Sequence, residues 1–165
     1  MTYYTYTESP VGRLLLAGDE TGLHRVAFAE GGKAPQPEPD WRKDARPLRQ
    51  AVEQLNAYFA GDLRTFDLPL RMEGTPFQLA VWRALQDIPY GETASYGEIA
   101  RRVGTPQGSR AVGLANGSNP IAIVVPCHRV IGSNGKLTGY GGGLNNKETL
   151  LALERKHASA QAALY

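Results

Sequence analysis

Ser95-Tyr96-Gly97-Glu98-Ile99-Ala100-Arg101-Arg102-Val103-Gly104-Thr105-Pro106 is the stretch that decides the fold of this 165-residue chain. Ser95 with Glu98 three residues on has the form of a capping box, which predicts a helix burying Ile99, Ala100 and Val103 and closing at Gly104. Thr105-Pro106 restarts the chain, and a second helix is expected near Ser109 to Asn116. Two short helices about a tight glycine-containing turn form a helix-turn-helix, a unit whose plainer form is an ordinary helical hairpin.

The second helix is almost all small residues around one arginine: Ser109-Arg110-Ala111-Val112-Gly113-Leu114-Ala115-Asn116-Gly117. With Ala111, Val112 and Ala115 toward the core, Arg110, Gly113 and Gly117 share the outer face. Each helical glycine costs about 1 kcal/mol relative to alanine, so something bulky is expected to come close. Either a nucleic-acid backbone or another packed helix satisfies that profile.

Upstream, Thr75-Pro76-Phe77-Gln78 combines an N-cap Thr, a Pro at the first helical position and a Gln that closes a capping box, predicting a helix to about Gln86. Ile88-Pro89-Tyr90-Gly91 stops it. Before Gly74, three β-type runs (Tyr3 to Thr7, Arg13 to Ala17, Leu23 to Phe28) separated by turn residues predict an antiparallel meander. Gly31 to Pro39 is a Gly/Pro-rich loop, Leu48, Val52, Leu55 and Phe59 mark one helix face, and Thr65 to Leu70 is expected as an edge strand because of Pro69. The fold class is therefore α+β: an N-terminal domain over 1–74 with a small antiparallel sheet and a helix, a mostly helical C-terminal domain over 75–155, and an Ala-rich tail over 156–165 expected to fray.

Downstream, Asn119-Pro120 ends the helical region and Ile121 to Val125 is expected as a buried strand that Pro126 halts immediately before Cys127. Cys127 is the one cysteine of the chain, so no internal disulfide forms. A free cysteine packs as a small buried hydrophobe, or it reacts as a thiolate when nearby cations such as Arg129 or protonated His128 lower its pKa. Adjacent residues of an extended chain point apart, so His128 would reach the sulfur through a local turn or a bridging water. Of the carboxylates on a last helix opened by Asn145, Glu148 has a capping role, so Glu154 is either the group that orients the imidazole or a solvated surface side chain. Leu137-Thr138-Gly139-Tyr140-Gly141-Gly142-Gly143 lacks the residues of a phosphate loop but offers bare backbone donors beside a nucleophile, with Tyr140 able to stack on a ring.

Bulk properties bound the rest. No run is long and apolar enough for a membrane span or a secretory signal, so a cytoplasmic protein with no membrane contact is expected. Widely separated His24, His128 and His157 provide no zinc spacing, and neither metal nor cofactor is expected. Residues 1–74 carry nine Lys/Arg against eleven Asp/Glu, residues 75–165 nine against five, so the half that holds Cys127 is net +4 and admits a polyanionic partner.

Pro126-Cys127-His128-Arg129-Val130, with Ser95-Tyr96, Arg110-Ala111-Val112-Gly113, Asn119-Pro120, the Tyr140 glycine loop and Glu154 in order and at matching spacing, closely resembles the O6-alkylguanine-DNA alkyltransferase family. The match is strong over 75–155; the first 74 residues agree in layout without a chemical motif. The resemblance implies a protein that binds double-stranded DNA through the minor groove, flips an O6-alkylguanine out of the stack, and transfers the alkyl group irreversibly to Cys127. O4-alkylthymine is a second substrate it allows. It implies that Glu154 and His128 activate the thiol through water, that Tyr96 holds the flipped base, and that Arg110 fills the vacated stack. Ser109, Ala111 and Gly113 would lie against DNA, and Asn119 would tie the helix pair to the catalytic segment. The Cys127 and Val130 carbonyls would accept from the exocyclic amine of the base, Tyr140 would flank it, and the Gly141 amide would face O6. A monomer when free, with cooperative assembly on DNA left open, completes the expectation. Some relatives have serine where this chain has Gly141, and some bind zinc in the first domain, a site that this chain lacks the cysteines to build. A lesion binder or helix-turn-helix regulator without chemistry is the alternative; Cys127 argues against it.

Overall fold

The computed structural model describes residues 1–30, 35–137, 140 and 143–163, with side chains through 159. Residues 31–34 of the Gly/Pro-rich loop and Gly141 of the glycine loop therefore lie outside the described residues. The chain divides into two compact units, Met1–Met72 and Glu73–Tyr165.

In the first unit β1 (Tyr3–Thr7), β2 (Leu14–Asp19) and β3 (Gly22–Phe28) form the expected meander, with Thr5 opposite Leu16 and Leu16 opposite Val26. Leu14, Leu15, Leu16 and Ala17 are fully buried, as a central strand covered on both faces requires. A two-residue strand, β4 (Arg42–Lys43), adds parallel to β1, so the sheet order is β3-β2-β1-β4 and the sheet is mixed at one edge. The strand expected over 65–70 is reduced to a bridge between Leu70 and Leu23. Pro69 has no N–H, so its carbonyl alone pairs, accepting from Leu23 N at 2.8 Å. Helix α1 (Arg49–Phe59) buries Ala51, Leu55 and Tyr58, continuing the line of buried Leu48. The expected Val52 and Phe59 are only half-buried, one helical step away from that line.

In the second unit α2 (Pro76–Gln86) begins with the predicted capping box: Thr75 Oγ1 accepts from Gln78 N, and Gln78 Oε1 accepts from Thr75 N. Its core face is Val81, Trp82, Ala84 and Leu85. Strand β5 (Ala94–Ser95) leads into α3 (Tyr96–Arg102), where Ser95 Oγ accepts from Glu98 N at 3.1 Å. Gly104, at φ +77, turns the chain toward α4 (Ser109–Gly117), completing the helix-turn-helix layout. Val112, Ala115 and Asn116 face inward, and Trp82 Nε1 donates to the Ala115 carbonyl at 2.9 Å. Ala111, expected in the core, is exposed because it lies about 100° around the helix from Val112.

Residues 121–125 are buried as expected but do not form a strand. Val125 N donates to Ile121 O at 3.0 Å and Val124 N to Ala122 O at 2.8 Å, which folds the segment on itself. Ile123 takes φ +73, a conformation that a β-branched residue adopts at a cost of about 1–3 kcal/mol. Full burial of Ile121, Ile123 and Val125 compensates for it. A one-turn 3-10 helix over Cys127–Arg129 follows, then β6 (Val130–Ile131), which pairs parallel with β5 as Ala94 with Val130 and Ser95 with Ile131. Helix α5 (Leu144–Ala163) starts at Leu144, so Asn145 lies inside the first turn rather than at its cap, and helical backbone runs through most of the segment expected as a tail.

Candidate active site

The catalytic turn is built by carbonyl bookkeeping around Pro126. Arg129 N donates to Pro126 O at 3.0 Å and Val130 N to Cys127 O, closing a 3-10 turn in which Cys127, His128 and Arg129 are all buried. Cys127 and His128 thus sit in a local turn, one of the two routes expected to bring the imidazole to the sulfur, and not in an extended strand. Asn116 Nδ2 from α4 also donates to Cys127 O, at 3.3 Å. Asn119 bridges the refolded segment, donating to Val125 O at 2.8 Å and accepting from Ile121 N at 3.0 Å.

Glu154, wholly buried on α5, collects the cations of this turn. Its Oε2 lies 2.7 Å from His128 Nε2 and accepts from Arg129 Nη2 at 3.1 Å, while Oε1 accepts from Arg129 Nε at 2.8 Å and Gly91 N at 3.2 Å. Arg129 Nη1 reaches the Ile88 carbonyl at 2.7 Å, and its guanidinium lies 5.7 Å from the Tyr90 ring centroid. Gly91 holds φ +79 in the turn that brings its N–H to the carboxylate, a position where glycine is the residue without strain. Burial would raise the Glu154 pKa, but the His128 and Arg129 hydrogen bonds and charges outweigh it and hold it at about 2. An ionised carboxylate only accepts, so His128 Nε2 carries the proton and Nδ1 holds the lone pair. Burial drives the imidazole below its ordinary pKa, against the pull of Glu154, so the ring is neutral. Nδ1 is buried with no hydrogen-bond partner among the described residues.

Burial raises the Cys127 thiol, and the side chains of Asn119 and Tyr140 together with the charge of Lys147 pull it back. Lys147, not Arg129, is therefore the cation that acts on the thiol; Arg129 is engaged by Glu154. Fully buried on α5, Lys147 donates to Val130 O at 2.6 Å. The two carbonyls expected to receive a base are thus already engaged, Cys127 O by Asn116 and Val130 N, and Val130 O by Lys147.

Lys147 and Asn116 were missed in the sequence, although both left a signal. Lys147 stands three, four and seven residues before Leu150, Leu151 and Glu154, a charge inside an apolar helical stripe. Asn116 follows Val112 by four on the buried face of α4.

Tyr96 is half-buried at the start of α3, directly after the β5 residue paired with Ile131, so the helix pair is anchored beside the catalytic turn. A Cβ at Gly113 would lie 3.8 Å from the Tyr96 ring, an ordinary van der Waals contact, so α4 backs onto that tyrosine at this position. Ser109, Arg110 and Ala111 are exposed on α4, with Leu114 72% exposed between Arg110 and Gly117. Arg101 and Arg102 are exposed at the end of α3. Among the described residues no group of three His, Cys, Asp or Glu side chains could hold a metal, and no helix is long and apolar enough to cross a membrane.

Fold and site define a protein that carries a buried thiol and a buried His128–Glu154 pair in the same unit as a helix-turn-helix. Family models described as the 6-O-methylguanine DNA methyltransferase ribonuclease-like domain and DNA binding domain match residues 2–72 and 76–156. The chain belongs to the 6-O-methylguanine DNA methyltransferase family. It is 59% identical to the methylated-DNA--protein-cysteine methyltransferase of Methanosarcina acetivorans over 92% of this chain and 97% of that one. Its identity to the protein of the same name from Mycolicibacterium paratuberculosis is 56% over 100% and 99%. The crystal structure of the Mycobacterium tuberculosis O6-methylguanine methyltransferase superposes with a TM-score of 0.90 at 54% identity, covering 99% of both chains. That organism's OGT in complex with DNA gives 0.88 at 54%, covering 94% of both.

Proposed function

We propose that this protein repairs duplex DNA by transferring the alkyl group of an O6-alkylguanine to Cys127, once per molecule. The observation that supports it most is the buried turn that sets Cys127 directly before His128, itself held on ionised Glu154, in the unit that also carries exposed Arg110 on α4. High identity to methylated-DNA--protein-cysteine methyltransferases supports the same reading.

The helix-turn-helix docks in the minor groove with Ser109, Ala111 and Gly113 against the backbone, and Arg110 takes the place of the extruded base, offsetting lost stacking. Tyr96 donates to the flipped guanine and Tyr140 flanks its ring. The Cys127 proton passes through one water to His128 Nδ1, and Glu154 stabilises the imidazolium. The thiolate attacks the alkyl carbon; the S–C bond forms as the C–O6 bond breaks, and its electron pair goes to the purine. A hydrogen bond from Tyr96 stabilises the negative charge that develops on the purine only in this step. Asn119 holds the refolded 121–125 segment under the turn. The free chain is a monomer that resides in the cytoplasm.

The product is a thioether, which water does not cleave, so the acceptor is consumed. Incubating the protein with a duplex holding one O6-methylguanine should restore guanine up to one equivalent of protein and then stop. Continued turnover, as from a Cys-His-Glu hydrolase, or no restoration at all would refute the proposal.

A further inference from the structure

We infer that Arg129 is a positioning residue: it occupies Glu154 so fully that His128 stays neutral, with its proton on Nε2 and Nδ1 left as the base. The inference rests on the proposed alkyl transfer only in naming the thiol as the group that base serves.

Two charges of opposite sign already balance at this site. Glu154 is wholly buried and Arg129 nearly so, and Arg129 Nε and Nη2 hold both carboxylate oxygens at 2.8 and 3.1 Å. Gly91 N takes another acceptor position on Oε1 at 3.2 Å, leaving His128 Nε2 on Oε2. Protonating His128 would add a second cation to a dry pair, with a third, Lys147, facing it from α5. Burial is the largest influence against the imidazolium; of the groups that face the ring, Glu154 favours it and Arg129 and Lys147 oppose it. Cys127 precedes it in the same turn, and Tyr90 meets the far face of Arg129 without a charge of its own. Without Arg129, the buried carboxylate would draw a proton onto His128, which is already hydrogen-bonded to it, and the pair would become imidazolium and carboxylate. An imidazolium cannot accept the thiol proton. Glu154 alone thus orients the ring but does not keep it basic.

The third Arg129 contact gives this arrangement its rigidity. Nη1 is held by the Ile88 carbonyl at 2.7 Å, which locks the guanidinium plane against the carboxylate. A lysine would retain the charge but not the fork.

Nitrogen-15 NMR of histidine-labelled protein without DNA reads the charge and tautomer of His128 directly, with its signals assigned by their loss in His128→Gln. In the unaltered chain His128 should be neutral with the proton on Nε2 at about pH 7, and should titrate below the ordinary imidazole value. In Arg129→Met it should titrate at least one unit higher, that is, tenfold more imidazolium at a given pH. Arg129→Lys should show a smaller rise in the same direction, and it decides the matter if Arg129→Met does not fold. The rate of alkyl transfer against pH should show its acid limb displaced upward by a similar amount, whereas a merely structural role would lower the rate equally at every pH. An imidazolium or an Nδ1–H tautomer in the unaltered chain would overturn the inference. So would unchanged His128 titration in the folded variants. Absence of alkyl transfer in the unaltered chain would defeat the proposed function and leave the NMR result standing.

Discussion

Asp44 in the first unit and Glu154 in the second are both carboxylates paired with arginine, and both are held at about 2. At Asp44 the cause is local: Arg46, two residues on, gives its side chain and its backbone N–H to the carboxylate. That Arg46 side chain is 91% exposed, so water and salt screen the pair and little stability follows. At Glu154 the partners come from the catalytic turn and from the loop after α2, and the carboxylate is sealed from water. A lowered carboxylate pKa thus marks hydrogen bonding and says nothing of function by itself. Burial combined with convergence from distant parts of the chain distinguishes the site.

The sharpest way to break this contrast is to neutralise each carboxylate. Glu154→Gln should cost about 3–5 kcal/mol by leaving Arg129 buried without its counter-charge, and should slow alkyl transfer by about 10²- to 10⁴-fold. Asp44→Asn should move neither the urea midpoint nor the transfer rate. Equal effects from the two substitutions would erase the distinction.

Within the second unit the contrast runs between buried and exposed cations. Arg110→Ala should leave the urea midpoint in place and reduce repair of duplex DNA at least tenfold, with reaction toward free O6-alkylguanine base largely kept. Equal loss on both substrates would make Arg110 structural. Lys147→Met removes a charge that favours the thiolate, so transfer should fall by about tenfold at neutral pH and recover in alkali as the thiol ionises. A pH-independent loss would assign Lys147 to packing alone.

Acid should expose the same difference more gently. His128 and Glu154 are both lowered in the folded chain, so each contributes stability that is complete above its unfolded value and lost as pH falls. The His128 share should begin to fade as pH drops through 6.5, and the Glu154 share as it drops through 4.5 toward about 2. Urea midpoints measured from pH 8 downward should decline in that order, and His128→Gln should remove the first decline.

Much of the second unit was legible because its signals are local. Thr75 with Gln78, Ser95 as a cap and Gly104 as a stop each act within one helical turn, and the helices begin and end where those residues place them. The stretch from Ile121 to Val125 was not legible. Its apolar run fits a buried strand equally well, and the turn with Ile123 at positive φ depends on side-chain contacts that hydrophobic periodicity does not register, such as those of Asn119 to Ile121 and Val125. Cys127, His128 and Glu154 stood out by residue type. The structure places His128 and Glu154 in contact, and it moves Arg129 from the thiol to the carboxylate. Lys147 escaped notice because a lysine reads as surface unless the apolar residues three and four positions on are weighed with it.

Alkylation of Cys127 itself is read most directly by intact-protein and peptide mass spectrometry. After incubation with a duplex containing O6-methylguanine, the protein should gain one methyl group, mapped to the peptide that carries Cys127 and absent from Cys127→Ala. A well-folded protein that gains no methyl group, or gains it elsewhere, would contradict transfer to Cys127.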